Sequence, residues 1–264
     1  MRATVFLGGG RITGALAAGL RLAGDEREIV VYDRHPEKLR TLRRESRIEI
    51  ARDLRSAVEG AGMLVLAVRP SSLRDMLHEV AVCGATPGLC VSLAAGIPLK
   101  NLRAWLGTPA RWVRAMPSPV CRIGRGLTPV CFDRRVSNKE RFQVQQMFAR
   151  VGPVLELREN QFDAITAAHS PTHGYHALAT LAQAAQNAGL DRETALTAAA
   201  HALADGIHYW KQSGLTLEEL LEEAATPGGI AAATMAAMNR AGYVRAVQHG
   251  ISAGVARAQK NAKC

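Results

Sequence analysis

Short runs of consecutive apolar residues punctuate the first half of the chain. Ala3–Leu7, Glu28–Tyr32, Met63–Val68 and Leu89–Leu93 are the clearest, and Val113–Met116 and Thr128–Phe132 are weaker. Runs that are apolar on successive positions, rather than alternating, predict strands covered on both faces. Stretches with helical spacing lie between them. Ile12, Leu16 and Leu20 mark a helix over residues 12–22, and Pro36 to Arg44 predicts another with Glu37 in its first turn. This alternation predicts a parallel α/β sheet with crossover helices.

The pattern changes near Glu159. From Gln161 onward 28 of 104 residues are alanine and no strand-like run appears. Helices are predicted over Ala164–Ala188 (interrupted near Pro171), Arg192–Ser213, Leu217–Ala225, Ile230–Ala241 and Tyr243–Lys260. The reading is therefore an α/β, Rossmann-type parallel-sheet domain over residues 1–158, followed by an all-helical, Ala-rich domain over 159–264. Alanine lets helices approach closely, which suits an oligomerisation element; a closely packed monomeric bundle is the alternative.

Charge follows the same division. The 264 residues carry a net +10, but residues 1–158 hold +12 and the remainder −2. A basic half raises nucleic acid as a partner. Aromatic residues are only 5% and no nucleic-acid motif is present, so a nucleotide cofactor fits the basic half better. No apolar run reaches the ~18 residues of a membrane span, and the first residues lack a signal-peptide layout. The five cysteines contain no CxxC pair, which disfavours a disulfide framework or zinc knuckle and leads us to expect reduced thiols in a cytoplasm.

Gly8-Gly9-Gly10 follows the first predicted strand and opens the first predicted helix. Gly8 and Gly10, with Arg11 and Ile12 at the helix start, have the layout of a pyrophosphate cradle. Thr13 stands where the fingerprint has a third small residue. The second strand ends at Asp33, 23 residues after Gly10, where an acidic ribose contact belongs. Asp33 favours the 2′-hydroxyl of NAD, whereas Arg34 beside it would pair with the 2′-phosphate of NADP, so both cofactors stay open.

Eight strings occur in order: GGGRITGAL (8–16), YDRHPEKL (32–39), LAVRP (66–70), SLAAGIPL (92–99), RAMPSPVCRIGRG (114–126), VGPVLEL (151–157), DAITAAH (163–169) and ATPGGIAAATMAAMNRAGY (225–243). Together they resemble the pyrroline-5-carboxylate reductase family over essentially the whole chain. The resemblance implies a Rossmann domain, a helical domain that interleaves with a partner chain as a homodimer or higher homo-oligomer, and NAD(P)H-dependent reduction of a cyclic imine. It implies that Ala67, Val68, Arg69 and Pro70 lie against the cofactor, that Ala94 and Ala95 line the nicotinamide pocket, and that Ser118 faces the same site. It further implies that an acidic group of a small-molecule substrate is held at Thr226, Gly228 and Gly229. That turn precedes a helix whose free N–H groups suit a carboxylate, although a purely structural N-cap has the same sequence.

Departures from the family pattern fall on the substrate side. Ala231 replaces a threonine whose hydroxyl the family places by the imine nitrogen. The family's SGSGPAY-like segment is His169-Ser170-Pro171-Thr172-His173-Gly174-Tyr175, which keeps Tyr175 and introduces histidines. Histidine suits a general acid near neutrality, so His173 and Tyr175 are the candidate catalytic residues, with His169 an alternative proton source. The competing readings are a reductase of a different imine or carbonyl substrate and a non-catalytic NAD(P)-binding oligomer. His169, His173 and His176 also raise metal binding, but no acidic or cysteine ligand completes a set and none is expected. The similar β-hydroxyacid dehydrogenase layout needs a lysine on its interdomain helix, and no lysine occurs between Lys139 and Lys211.

Overall fold

A computed structural model describes residues 3–35, 37, 39–107 and 109–263. The expected helix start at Pro36 and the thiol of Cys264 lie outside the described residues. Among the described residues there are eight strands: β1 (Ala3–Leu7), β2 (Ile29–Tyr32), β3 (Glu49–Ile50), β4 (Ala61–Leu66), β5 (Leu89–Ser92), β6 (Arg111–Ala115), β7 (Thr128–Phe132) and β8 (Val154–Glu156). The helices are α1 (Arg11–Leu22), α2 (Leu39–Ser46), α3 (Leu54–Gly60), α4 (Pro70–Val82), α5 (Leu99–Leu106), α6 (Asn138–Ala149), α7 (Phe162–Ala168), α8 (Thr172–Asn187), α9 (Arg192–Ser213), α10 (Leu217–Ala224), α11 (Ile230–Arg240) and α12 (Tyr243–Asn261).

The strands form one sheet in the order β3-β2-β1-β4-β5-β6-β7-β8. Its first six positions follow the doubly wound dinucleotide-binding order. Every pair is parallel except β6–β7, which is antiparallel. The connection from Ala115 to Thr128 carries only the 3₁₀ turn Pro119–Ile123 and no crossover helix, and β7 returns antiparallel.

The continuous apolar runs are explained by two-sided burial. Phe6, Val31, Val65, Val91 and Val113 face one layer with Leu16, Leu20 and Phe148 from α1 and α6. Val5, Leu7, Leu64, Leu66, Cys90 and Trp112 face the other with Leu73, Leu77, Leu102 and Phe162 from α4, α5 and α7. Successive residues of one strand thus feed opposite layers.

Two compact units result: Met1–His169 with Ala253–Cys264, and Ser170–Ser252. The boundary anticipated at residue 159 falls inside the first unit. There Phe162 is fully buried under the sheet, and the Arg114 guanidinium stacks 4.4 Å from its ring centroid. Arg114 is itself buried and ion-pairs Asp163 (3.1 Å) and Glu159 (3.4 Å), which fastens α7 to β6. The last turns of α12 also belong to this unit. A Cβ at Gly96 (φ +78°) would overlap the Ala258 carbonyl, Asn261 Nδ2 donates to Ala95 O (3.1 Å), and Asn101 Nδ2 donates to Ala262 O (2.8 Å).

The second unit is helical throughout, as its alanine content predicts. Asp191 caps α9 by accepting from the N–H groups of Glu193 and Thr194, and Thr216 with Glu219 forms a capping box on α10. Only Ala182, Ala195 and Ala199 are buried in this unit among the described residues.

Candidate functional site

The glycine loop is built by close backbone approach. Gly8 has φ +109°, and a Cβ there would sit 2.7 Å from the Ala67 carbonyl oxygen, so only glycine fits between β1 and β4. Its N–H donates to Tyr32 O (2.7 Å), and Ala67 N–H donates to Leu7 O (2.8 Å). Gly10 is the N-cap of α1, with no side-chain cap and open space around it. The first N–H groups of α1, starting at Arg11 and Ile12, therefore lack an intrahelical acceptor. An open glycine cap at a helix start fits a pyrophosphate. Thr13 is fully buried, and its hydroxyl donates to Gly8 O (2.6 Å). The third fingerprint position thus serves the loop by a hydrogen bond. Close helix packing is supplied by Gly19, where a Cβ would overlap the Cys121 carbonyl.

Asp33 directly follows β2 and closes the loop from the other side. Its Oδ2 accepts from Gly9 N (2.7 Å) and its Oδ1 from His35 N (2.9 Å). Arg34 ion-pairs Glu79 of α4. After β4, Arg69 is the N-cap of α4, and Pro70 occupies its first turn, where a missing N–H costs nothing. Val68 borders Gly8: its Cγ1 would lie 3.2 Å from a Cβ there. Ala94 is buried and donates to Ser92 Oγ (3.3 Å), while the Ala95 carbonyl is taken by Asn261. The part played by Asn261 was absent from the sequence reading. It bridges 166 positions, and no local pattern signals it.

Ser118 is buried, and its Oγ accepts from Val120 N (3.4 Å), which caps the 3₁₀ turn. The segment before it is held from two sides. Met116 N–H donates to Pro129 O (3.0 Å), and Met116 O lies 2.9 Å from His169 Nε2. His169 Nδ1 lies 2.8 Å from Ile165 O. Both ring nitrogens therefore face backbone carbonyls, and His169 straps α7 to the 116–118 segment.

His173, Tyr175, Thr226, Gly228 and Gly229 belong to the second unit. His173 and Tyr175 stand in the first turn of α8, two positions apart, so they project from different faces of the helix. Tyr175 is 64% exposed. At the glycine turn, Gly229 N–H donates to Thr226 O (2.8 Å), Gly228 has φ +78°, and Gly229 is an uncapped N-cap of α11. A Cβ at Gly229 would lie 2.9 Å from Thr226 O, so this tight turn needs glycine. Ile230 is 88% exposed. Thr234 does not replace the missing hydroxyl, because its Oγ1 donates back to Ile230 O (2.9 Å).

Thiol chemistry is not on offer in the core. Burial pushes the Cys121 and Cys131 thiols up to about 11 and Cys90 higher still. Among the described residues no group of three His, Cys, Asp or Glu side chains is arranged to hold a metal ion, and no helix is long and apolar enough to cross a membrane.

Residues 4–96 match the family described as NADP oxidoreductase, coenzyme F420-dependent, and residues 159–261 match the pyrroline-5-carboxylate reductase dimerisation family. The pyrroline-5-carboxylate reductase of Pseudomonas aeruginosa is 28% identical over 262 residues, covering 98% of this chain and 96% of the relative. That of Corynebacterium melassecola is 29% identical, covering 94% of this chain and 96% of the relative. The crystal structure of a Plasmodium falciparum pyrroline carboxylate reductase with NADP bound superposes with TM-score 0.89 at 21% identity, covering 99% of this chain and 98% of that one. An imine reductase from Aspergillus terreus shares the fold more loosely, with TM-score 0.56 at 15% identity over 85% of this chain and 78% of that one.

Proposed function

We propose that the chain is a pyrroline-5-carboxylate reductase-like enzyme, an NAD(P)H-dependent reductase of a cyclic imine bearing an acidic group, supported by the match of residues 159–261 to that family's dimerisation model and by relatives 28–29% identical over nearly the whole chain. The observation that carries this reading is the glycine loop, with its forced positive φ at Gly8 and its open, uncapped start of α1 at Gly10. In this reading the N–H groups at Gly10, Arg11 and Ile12 hold the pyrophosphate, and Asp33 or Arg34 meets the adenosine ribose. Ala67 to Pro70, Ala94 and Ala95 wall the site, and Ser118 keeps the neighbouring turn in shape. A bound nicotinamide dinucleotide supplies the hydride that adds to the C=N carbon. The Gly228-Gly229 turn, with Thr226, binds the acidic group of the substrate through the free N–H groups at the start of α11. His173, or a water, delivers the proton at nitrogen.

We further read the second unit as the element that joins two copies of the chain. Its exposed Ile207, Tyr209, Trp210, Leu217 and Leu221 would be covered by a partner.

Turnover of NADH or NADPH with pyrroline-5-carboxylate and a panel of cyclic imines tests the reading. Oxidation of either cofactor by one of these substrates is expected. Cofactor binding without turnover on any of them would replace it with the non-catalytic alternative. Ala231 favours a different imine from the family's own. If only the family hydroxyl is missing, Ala231→Thr raises turnover of pyrroline-5-carboxylate about tenfold or more; no gain means the pocket has been rebuilt around another substrate.

A further inference from the structure

Asp33 and Arg34 point to opposite dinucleotides, and a third charged group stands beside them. Glu79, on α4 and 45 positions away, ion-pairs the Arg34 guanidinium. Asp33 cannot swing aside, because its two oxygens are fixed by the Gly9 and His35 N–H groups at 2.7 and 2.9 Å. His35 adds no unpaired cation, since its Nδ1 lies 3.6 Å from Glu37.

We propose that Glu79 sets the dinucleotide preference of this chain toward NADH, by neutralising Arg34 next to the fixed Asp33 carboxylate. The proposal rests on the reading that the glycine loop binds a nicotinamide dinucleotide. NADPH differs from NADH by one phosphate on the 2′ oxygen of the adenosine ribose. That phosphate needs a cation; here it must take Arg34 away from Glu79 while facing Asp33. A 2′-hydroxyl needs only an acceptor. Each Asp33 oxygen is engaged by one backbone donor and keeps a further lone pair for a ribose hydroxyl. Arg34 and Glu79 are both partly exposed, 48% and 40%, so the pair biases the choice without closing the site to NADPH. An exposed ion pair of this kind accounts for a factor of about five in affinity.

The test uses the full-length protein and measures dissociation constants for NADH and NADPH by nicotinamide fluorescence titration, without substrate. The wild type is expected to bind NADH more tightly. Glu79→Gln should tighten NADPH about fivefold and change NADH by less than about twofold. Arg34→Met should weaken NADPH and abolish the effect of Glu79→Gln in the double variant. A wild type that prefers NADPH, or an NADPH to NADH ratio unmoved by Glu79→Gln, overturns the proposal and leaves the reductase reading intact. So does a Glu79→Gln effect that persists without Arg34. Failure of the wild type to bind either dinucleotide overturns both.

Discussion

The two units of this chain solve opposite problems. The first seals itself: both faces of its sheet are covered, and side chains as large as Trp112, Phe6, Phe148 and Phe162 are fully buried. The second buries three alanines and leaves Ile207, Tyr209, Trp210 and Ile230 in solvent. Alanine-rich helices have strong intrinsic propensity, so they form without a core, but propensity alone does not bury the surface that stabilises a domain. The first unit is specified by its own interior; the second is specified for a partner.

The largest expected effect breaks that contrast at its apolar strip. Ile207 and Trp210 lie three positions apart on α9 and share a face. Replacing both with glutamate should weaken self-association by about a hundredfold or more, read as loss of the multimer by light scattering at micromolar concentration. Glutamate at exposed Phe142 in the first unit should leave the mass unchanged.

A substitution inside the sealed unit should do the reverse. Arg114→Met removes a buried guanidinium from between Asp163, Glu159 and the Phe162 ring. A loss of about 3 kcal/mol in urea denaturation is expected, with the oligomeric state retained at low denaturant.

His169 sits at the border between the two units, and a graded series sharpens its part. Glutamine can place an N–H near the position of Nε2 and keep the bond to Met116 O, whereas asparagine reaches only toward Ile165 O. His169→Asn should cost about 1–2 kcal/mol and His169→Gln less than half of that, measured by thermal denaturation.

The smallest effect concerns acid. Asp25 is buried, and the side-chain hydrogen bond from Arg27 holds its carboxyl below the usual carboxylate range against the opposing effect of burial. A depressed folded value contributes stability above the unfolded pKa of about 3.9 that is lost as pH falls through the folded one. Stability should therefore fall as pH drops below about 4, the least of these effects, and Asp25→Asn should flatten that limb of a urea-midpoint profile.

Much of this architecture was legible before the structure. The continuous runs at 3–7, 89–93 and 128–132 marked β1, β5 and β7 closely, because strands buried on both faces cannot afford polar interruptions. The helices of the second unit were equally clear, α9 to the residue, because Asp191 and Gly214 bracket it with strong end signals. β3 and β8 escaped notice: each has two or three residues, with exposed positions, and short edge strands lack a pattern. The antiparallel return of β7 has no mark in its own residues.

The site was legible where its demands are local. A tight glycine turn and an acid at a strand end are written in neighbouring residues. His169 suggests a proton source by its residue type; that it also ties α7 to Met116, 53 positions away, is not written in its neighbours. Glu79 was invisible for the same reason. Nothing within its own helix connects it to Arg34.

The return of α12 onto the loop at residues 94–97 has a consequence for how the protein is made. The glycine loop is encoded near the start of the chain, yet Gly96 packs against the Ala258 backbone and the Ala95 carbonyl is bonded by Asn261. During synthesis at roughly 5–20 residues per second, the emerging sheet must wait on the order of ten to thirty seconds for that cover. A ribosome that stalls or stops within the helical region releases a sheet with one loop unfinished.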